Sequence, residues 1–297
     1  MDGVLTSRFE FDAIGTSWEI NTPAPLGVKI RNRILDLVEG FDSVYSRFRQ
    51  DSIVSRIAQA AHGGTFRFPA DAVSMFDLYD RLHAATDGAV DPLVGRDLEL
   101  LGYDRHYSLV ASKDAFVSIA ALRPNWRRDV LRSGRAVTTL QPLGIDLGAV
   151  GKGTLVDRVA ELLKADGLDS FVVDGSGDMC HHGEVVLDVG LEHPLDPGLV
   201  VGITKIRNGS ICASASNRRS WGNSLHHVLD GRTGRPTTDV IATWAVAADT
   251  ATADGLATAL FFGPPSRLMS TFDFSFVRMF AGGRVEVSDN FIGEVFT

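Results

Sequence analysis

Gly144-Ile145-Asp146-Leu147-Gly148-Ala149-Val150-Gly151-Lys152-Gly153-Thr154-Leu155-Val156-Asp157 is the stretch on which the fold turns. Its first four residues read as the end of a strand, and residues 148–153 as a glycine-rich turn. Thr154 then caps a helix, with Asp157 in the capping-box position. Leu155, Val156, Val159, Leu162 and Leu163 recur at threes and fours and give the helix a buried face; Gly167 ends it. Such a turn exposes backbone N–H groups to a phosphate, and Lys152 adds a positive charge. The spacing is neither a Walker A loop nor a G-x-G-x-x-G fingerprint, so a plain strand-to-helix connection is an equal reading of this segment alone.

Upstream, Phe9 to Ile20 reads as a strand broken by Gly15. Ile30, Ile34, Leu37, Val38, Phe41, Val44, Tyr45 and Phe48 carry a helical period, and Pro69 to Ala85 carries another. Asp87 to Tyr103 is more loop than element. Downstream, Phe171-Val172-Val173 is a short buried strand leading into the turn Asp174-Gly175-Ser176-Gly177-Asp178. Val185–Leu191, Leu199–Ile206 and Val240–Ala248 read as strands. A final helix runs from about Thr252 to Phe262, stopped by Gly263-Pro264-Pro265. With no repeat and no linker, the reading is a single α+β domain over residues 1–297, with mixed or antiparallel sheets flanked by helices.

The 297 residues are 44% hydrophobic and 22% charged, ordinary globular proportions, with a formal net charge of -8. An acidic chain whose densest basic run is Arg123-Pro-Asn-Trp-Arg-Arg128 is a poor nucleic-acid binder. The two cysteines, Cys180 and Cys212, argue against a disulfide framework and a thiolate zinc site. No apolar run reaches the length of a membrane span, and the N-terminus carries no export signal, so a cytoplasmic location is expected.

Three further constellations bear on chemistry. Asp254 and Thr258 lie four apart on the last helix and share a face; a carboxylate and a hydroxyl are hard oxygen ligands suited to magnesium. Unaided, a helix-favouring aspartate and a packing threonine explain them as well. Leu225-His226-His227-Val228-Leu229-Asp230-Gly231-Arg232-Thr233-Gly234-Arg235-Pro236 brings two histidines to a turn, and histidine serves as a general base near neutral pH. If this segment is extended, His226 and His227 point to opposite sides. His181-His182 reads as a pair of exposed turn residues. Asp87-Gly88-Ala89-Val90-Asp91-Pro92 is a ligand-cradling loop or only a turn.

Taken in this order, these segments resemble the ApbE family of FAD:protein FMN transferases. The resemblance rests on Ile145-Asp-Leu-Gly-Ala-Val-Gly-Lys-Gly153 with Asp157 following, His227-Val-Leu-Asp-Gly-Arg-Thr-Gly-Arg-Pro236 and Ala253-Asp-Gly-Leu-Ala-Thr-Ala-Leu260. Asp91-Pro92 and Tyr45-Ser-Arg-Phe48 with Ser52 add weaker matches. It implies cleavage of the FAD pyrophosphate with magnesium, attachment of FMN to a Thr or Ser hydroxyl of an acceptor protein, and release of AMP. Carried over by position, the metal ligands are the Ala149 carbonyl, Asp254 and Thr258. Contacts to the flavin nucleotide fall on Ile14, Phe48, Ala89, Val90, Asp91, Asp146, Lys152 and Val228, and His227 is the base.

This chain departs from the family pattern in places. Gly231 stands where Pro is common, Ser176 where a Gly-Gly-Asp step is usual, Phe48 for Tyr, Ile14 for Met, and Ala215 where Gly usually follows Ser. None of these removes an implied metal ligand. The same residues would serve an FAD pyrophosphatase with water as acceptor. A non-catalytic FAD carrier would need neither the base nor the metal.

Overall fold

The computed structural model describes residues 5–222 and 224–296. An eight-stranded antiparallel sheet forms the centre, in the order Ser7–Ala13, Thr16–Thr22, Phe171–Asp174, Asp178–His182, Gly209–Ala215, Val240–Ala247, Ser275–Phe280, Val285–Val287. It draws strands from both ends of the sequence. Two three-stranded antiparallel sheets accompany it: Leu187–His193, Asp196–Ile206 and Gly293–Val295, and Gly64–Arg67, Ala136–Thr139 and Val130–Ser133. The class is α+β, as the sequence predicts.

Side-chain alternation gives the central sheet two buried faces. On the strand Val240–Ala247, Ala245 and Ala247 join the larger core with Val156, Val159, Leu256 and Leu260 from the helices. Ala242 and Trp244 face the other way, onto Leu191, Val201 and Ile206 of the first accessory sheet. The helices Val28–Tyr45, Ala72–Ala85, Gly151–Ala165 and Thr250–Ala259 supply the covering layer. Among the described residues no helix is long and apolar enough to cross a membrane.

Several local expectations change. The strand expected across Phe9–Ile20 is a hairpin, Ser7–Ala13 with Thr16–Thr22, turning at Ile14-Gly15. Ile14 takes a φ of +45°, a conformation costly for a β-branched residue. Gly144–Leu147 is not a strand. Asp146 N donates instead to Pro92 O at 2.7 Å, and Gly144 packs against the backbone of Arg96, so this segment lies beside the helix Gly95–Leu100 rather than in a ladder. That helix, and the 3₁₀ turn Pro92–Val94 before it, occupy a stretch expected to be loop.

The capping assignment is also overturned. The helix starts at Gly151, and Thr154 sits inside it with Oγ1 donating to Val150 O at 2.7 Å. Asp157 caps a different helix: its two oxygens accept Thr250 N and Ala251 N, both at 2.8 Å. Burial raises the Asp157 carboxyl to about 6, against these hydrogen bonds, which lower it. His181 and His182 lie on the strand Asp178–His182, with His181 buried, not on an exposed turn. The helix expected from Thr252 spans Thr250–Ala259, and a short helix, Pro265–Met269, follows it.

Candidate active site

A cavity of about 1000 Å³ opens between the hairpin turn, the end of the first helix, the loop at 89–91, the glycine-rich turn and the helix Thr250–Ala259. Ile14, Phe48, Ala89, Val90, Asp91, Asp146, Ala149, Lys152, His227, Val228, Asp254 and Thr258 all line it. Residues more than 200 positions apart in sequence therefore share one wall.

The deepest charges sit where two helices cross. Asp254 is buried, and its Oδ2 accepts Gly153 N at 2.9 Å. Gly153 permits the approach: a methyl there would run into the Thr250 carbonyl and come within 2.8 Å of Asp254 Cβ. Lys152 Nζ lies 3.2 Å from Asp178 Oδ2 and donates to Ser176 O at 3.2 Å. Burial would lower the Lys152 ammonium, but Asp178 and Asp254 together hold it above its ordinary value. Asp178 is also buried and held high chiefly by burial, with Lys152 offsetting part of it. Burial and the neighbouring Asp178 push Asp254 well above the usual carboxylate range, again against Lys152. Two carboxyl groups thus share one ammonium, and Asp254 lacks the positive charge that would favour its ionised form. With the Thr258 hydroxyl one helical turn from Asp254, and Ala149 in the adjoining turn, the donor set is hard oxygen and the charge deficit is positive. That fits magnesium.

The histidine pair divides in role. His226 is buried; Val228 N donates to its Nδ1 at 3.3 Å, so its Nε2 carries the proton and donates to Thr237 O at 2.8 Å. It braces the segment 226–237. His227 lines the cavity, and its buried Nδ1 has no partner among the described residues. Burial, and then the Arg219 charge, lower the His227 imidazole to about 4. It is therefore neutral at pH 7, able to accept a proton.

Not every implied contact offers its side chain. The Asp91 carboxylate accepts Leu93 N at 2.8 Å and Trp126 N at 3.0 Å, and His83 Nε2 lies 3.3 Å from it. It shapes the 89–91 loop from inside. Gly231 locks that loop to the histidine segment: Gly231 N donates to Ala89 O at 2.7 Å, and an added Cβ would lie 2.5 Å from Gly88 O and 2.7 Å from Asp91 Cβ. Phe48 stacks on Tyr107, ring centroids 5.2 Å apart and planes 5° apart, and meets Tyr103 edge-on at 5.6 Å. Asp146 is held below its usual value: burial raises it, and the Arg47 charge and hydrogen bond, with Gly148 N, outweigh that. Arg47, Tyr103, Tyr107, Asp178 and Arg219 all line or border the cavity without having been singled out in the sequence. Arg47 carried a signal as part of Tyr45-Ser-Arg-Phe48, and Asp178 as the end of the turn Asp174-Gly175-Ser176-Gly177-Asp178.

Comparison with known proteins follows the same line. The ApbE family model matches residues 14–276. The FAD:protein FMN transferase of Treponema pallidum (strain Nichols) is 31% identical over 260 residues, covering 77% of this chain and 69% of that protein. That of Klebsiella pneumoniae (strain 342) is 28% identical over 272 residues, covering 86% and 77%. Flavin transferase ApbE from Vibrio cholerae superposes with a TM-score of 0.82 at 23% identity, covering 97% of this chain and 98% of that one. The Thermotoga maritima ApbE protein does so with a TM-score of 0.82 at 24% identity, covering 95% and 97%. At these identities the structures establish a shared fold.

Proposed function

The chain belongs to the ApbE family, and on that premise we propose that it is an FAD:protein FMN transferase acting with magnesium on a Thr or Ser hydroxyl of an acceptor protein. The observation that carries the reading is the joining, in one cavity, of a buried carboxyl short of positive charge, a hydroxyl one helical turn from it and a neutral histidine. In the reaction, the acceptor oxygen bonds to the FMN phosphorus, the pyrophosphate bridge breaks, and AMP leaves with the bridging oxygen. The hydroxyl proton passes to the His227 ring, which is unprotonated at neutral pH and whose proton affinity, low in the ligand-free protein, the negative charge of bound phosphate would raise. Asp254, Thr258 and the Ala149 carbonyl would hold magnesium, which neutralises charge building on the pyrophosphate oxygens. Gly153 fixes Asp254 through its N–H, and the Lys152–Asp178 pair fixes the charge beneath it. Asp146, Phe48, Ile14, Val228 and the 89–91 loop shape the space for the dinucleotide.

The test is direct. The protein is incubated with FAD and magnesium, with and without candidate acceptor proteins, and AMP and protein-bound flavin fluorescence after denaturing electrophoresis are measured. Both products together are expected. AMP without covalent flavin, for every acceptor tried, would make it a pyrophosphatase; FAD bound with no AMP would make it a carrier.

A further inference from the structure

Arg47 is a buried cation whose two terminal nitrogens meet no hydrogen-bond partner among the described residues. Its side chain is 7% exposed and lines the cavity. Nε donates to Asp146 Oδ2 at 2.5 Å, and the guanidinium carbon lies 4.2 Å from the Phe48 ring centroid and 5.0 Å from that of Tyr103. Its Nη1 and Nη2 are buried and have no hydrogen-bond partner among the described residues. Leaving the donors of a buried charged group unmet is expensive, so their persistence points to a ligand that meets them.

The position narrows the ligand. Asp146, which anchors Arg47, also accepts Gly148 N at 2.8 Å, so the guanidinium is tied to the first residue of the glycine-rich turn. Aromatic rings pack against it, which leaves the Nη1–Nη2 edge for binding. Arg219 reaches the same place: its Nη1 donates to Tyr103 Oη at 2.5 Å, and its charge acts on His227. Around Tyr103, two guanidiniums face one carboxylate, Asp146, while His227 is neutral. The neighbourhood carries excess positive charge, which a phosphate offsets and a neutral ring carbonyl does not. Two adjacent N–H groups also match two oxygens of one phosphoryl group.

We propose that Arg47 is a phosphoryl-binding residue whose free Nη groups take oxygens of the FAD pyrophosphate at the mouth of the glycine-rich turn. This rests on the functional reading above and adds to it a cationic contact from the segment that follows the first helix. Isothermal titration of the full chain with FAD, FMN, ADP and riboflavin, each with magnesium, tests it in wild type, Arg47→Met and Arg47→Lys; the lysine variant keeps a charge for Asp146. Losing a charge-assisted contact should weaken FAD and FMN binding roughly ten- to hundredfold in Arg47→Met and less in Arg47→Lys. Riboflavin affinity should not change. An equal loss for riboflavin would show that Arg47 reads the ring edge instead. A lowered melting temperature with unchanged FAD affinity would show that it only braces Asp146. Failure of the wild type to bind FAD at all would instead overturn the functional reading itself.

Discussion

Asp254→Asn should make the metal-free protein more stable and the enzyme inactive. Asp178 and Asp254 are buried beside Lys152, and burial with the neighbouring Asp178 pushes the Asp254 carboxyl well above the usual carboxylate range. A neutral amide at this position leaves Lys152 and Asp178 as a matched pair 3.2 Å apart, so no orphan charge is created. The amide oxygen can still accept Gly153 N, the 2.9 Å bond that Asp254 makes now. Asparagine cannot ionise, so it removes the penalty on the charged carboxylate, about 1.4 kcal/mol for each pH unit above the ordinary carboxylate value until the raised one is reached, or a few degrees of melting temperature per unit. Asp254→Ala would differ, because it strands the Gly153 N–H at about 1–3 kcal/mol. Magnesium-dependent AMP release should fall at least ~100-fold, because a magnesium site with so few protein oxygens does not survive loss of its carboxylate. Urea unfolding of metal-free protein gives the first quantity and AMP release the second. If Asp254→Asn is less stable than wild type by more than about 1 kcal/mol, the charge accounting is wrong; if it keeps normal AMP release, the ligand assignment is wrong.

Three further outcomes follow from single positions. Gly231→Pro, though it restores the residue common in the family, should destabilise by roughly 2–4 kcal/mol and impair FAD binding, because it deletes the Gly231 N–Ala89 O bond and crowds Gly88 O; urea midpoints and FAD titration measure both, and an unchanged midpoint refutes it. Ser176 adopts a φ of +60°, so Ser176→Gly should raise stability by up to about 1 kcal/mol while leaving the Lys152 contact to its carbonyl, which thermal unfolding would reveal. His227 has its folded pKa lowered to about 4, against about 6.5 unfolded. The folded ligand-free protein binds fewer protons between those values, so the His227 contribution is complete above about pH 6.5 and is lost as pH falls through about 4. His227→Gln should therefore lose less stability than wild type on acidification from about pH 7 to 4.5, and parallel pH profiles would contradict the shift.

The sequence by itself determined what depends on near neighbours. The three-and-four spacing after Gly153 makes the helix Gly151–Ala165; the four-residue spacing of Asp254 and Thr258 places both on one helix face; the glycine at 148 opens a turn that runs directly into the start of the helix at Gly151. These are consequences of backbone geometry over a turn or two, and they carried the family resemblance. What spans the fold was not legible in that way. Asp157, three residues after Thr154, looks like a local capping partner, yet it caps a helix beginning at Thr250, because a carboxylate binds whichever unpaired N–H groups packing brings to it. Gly144–Leu147 has a strand's composition, but among the described residues no ladder partner lies beside it. His227 reads as an ordinary histidine until burial and Arg219 lower its proton affinity. Arg47 becomes a binding group only because Asp146, 99 positions away, takes one of its nitrogens and leaves two open. Desolvation and charge pairing are properties of the assembled interior, and only the tertiary structure decided them.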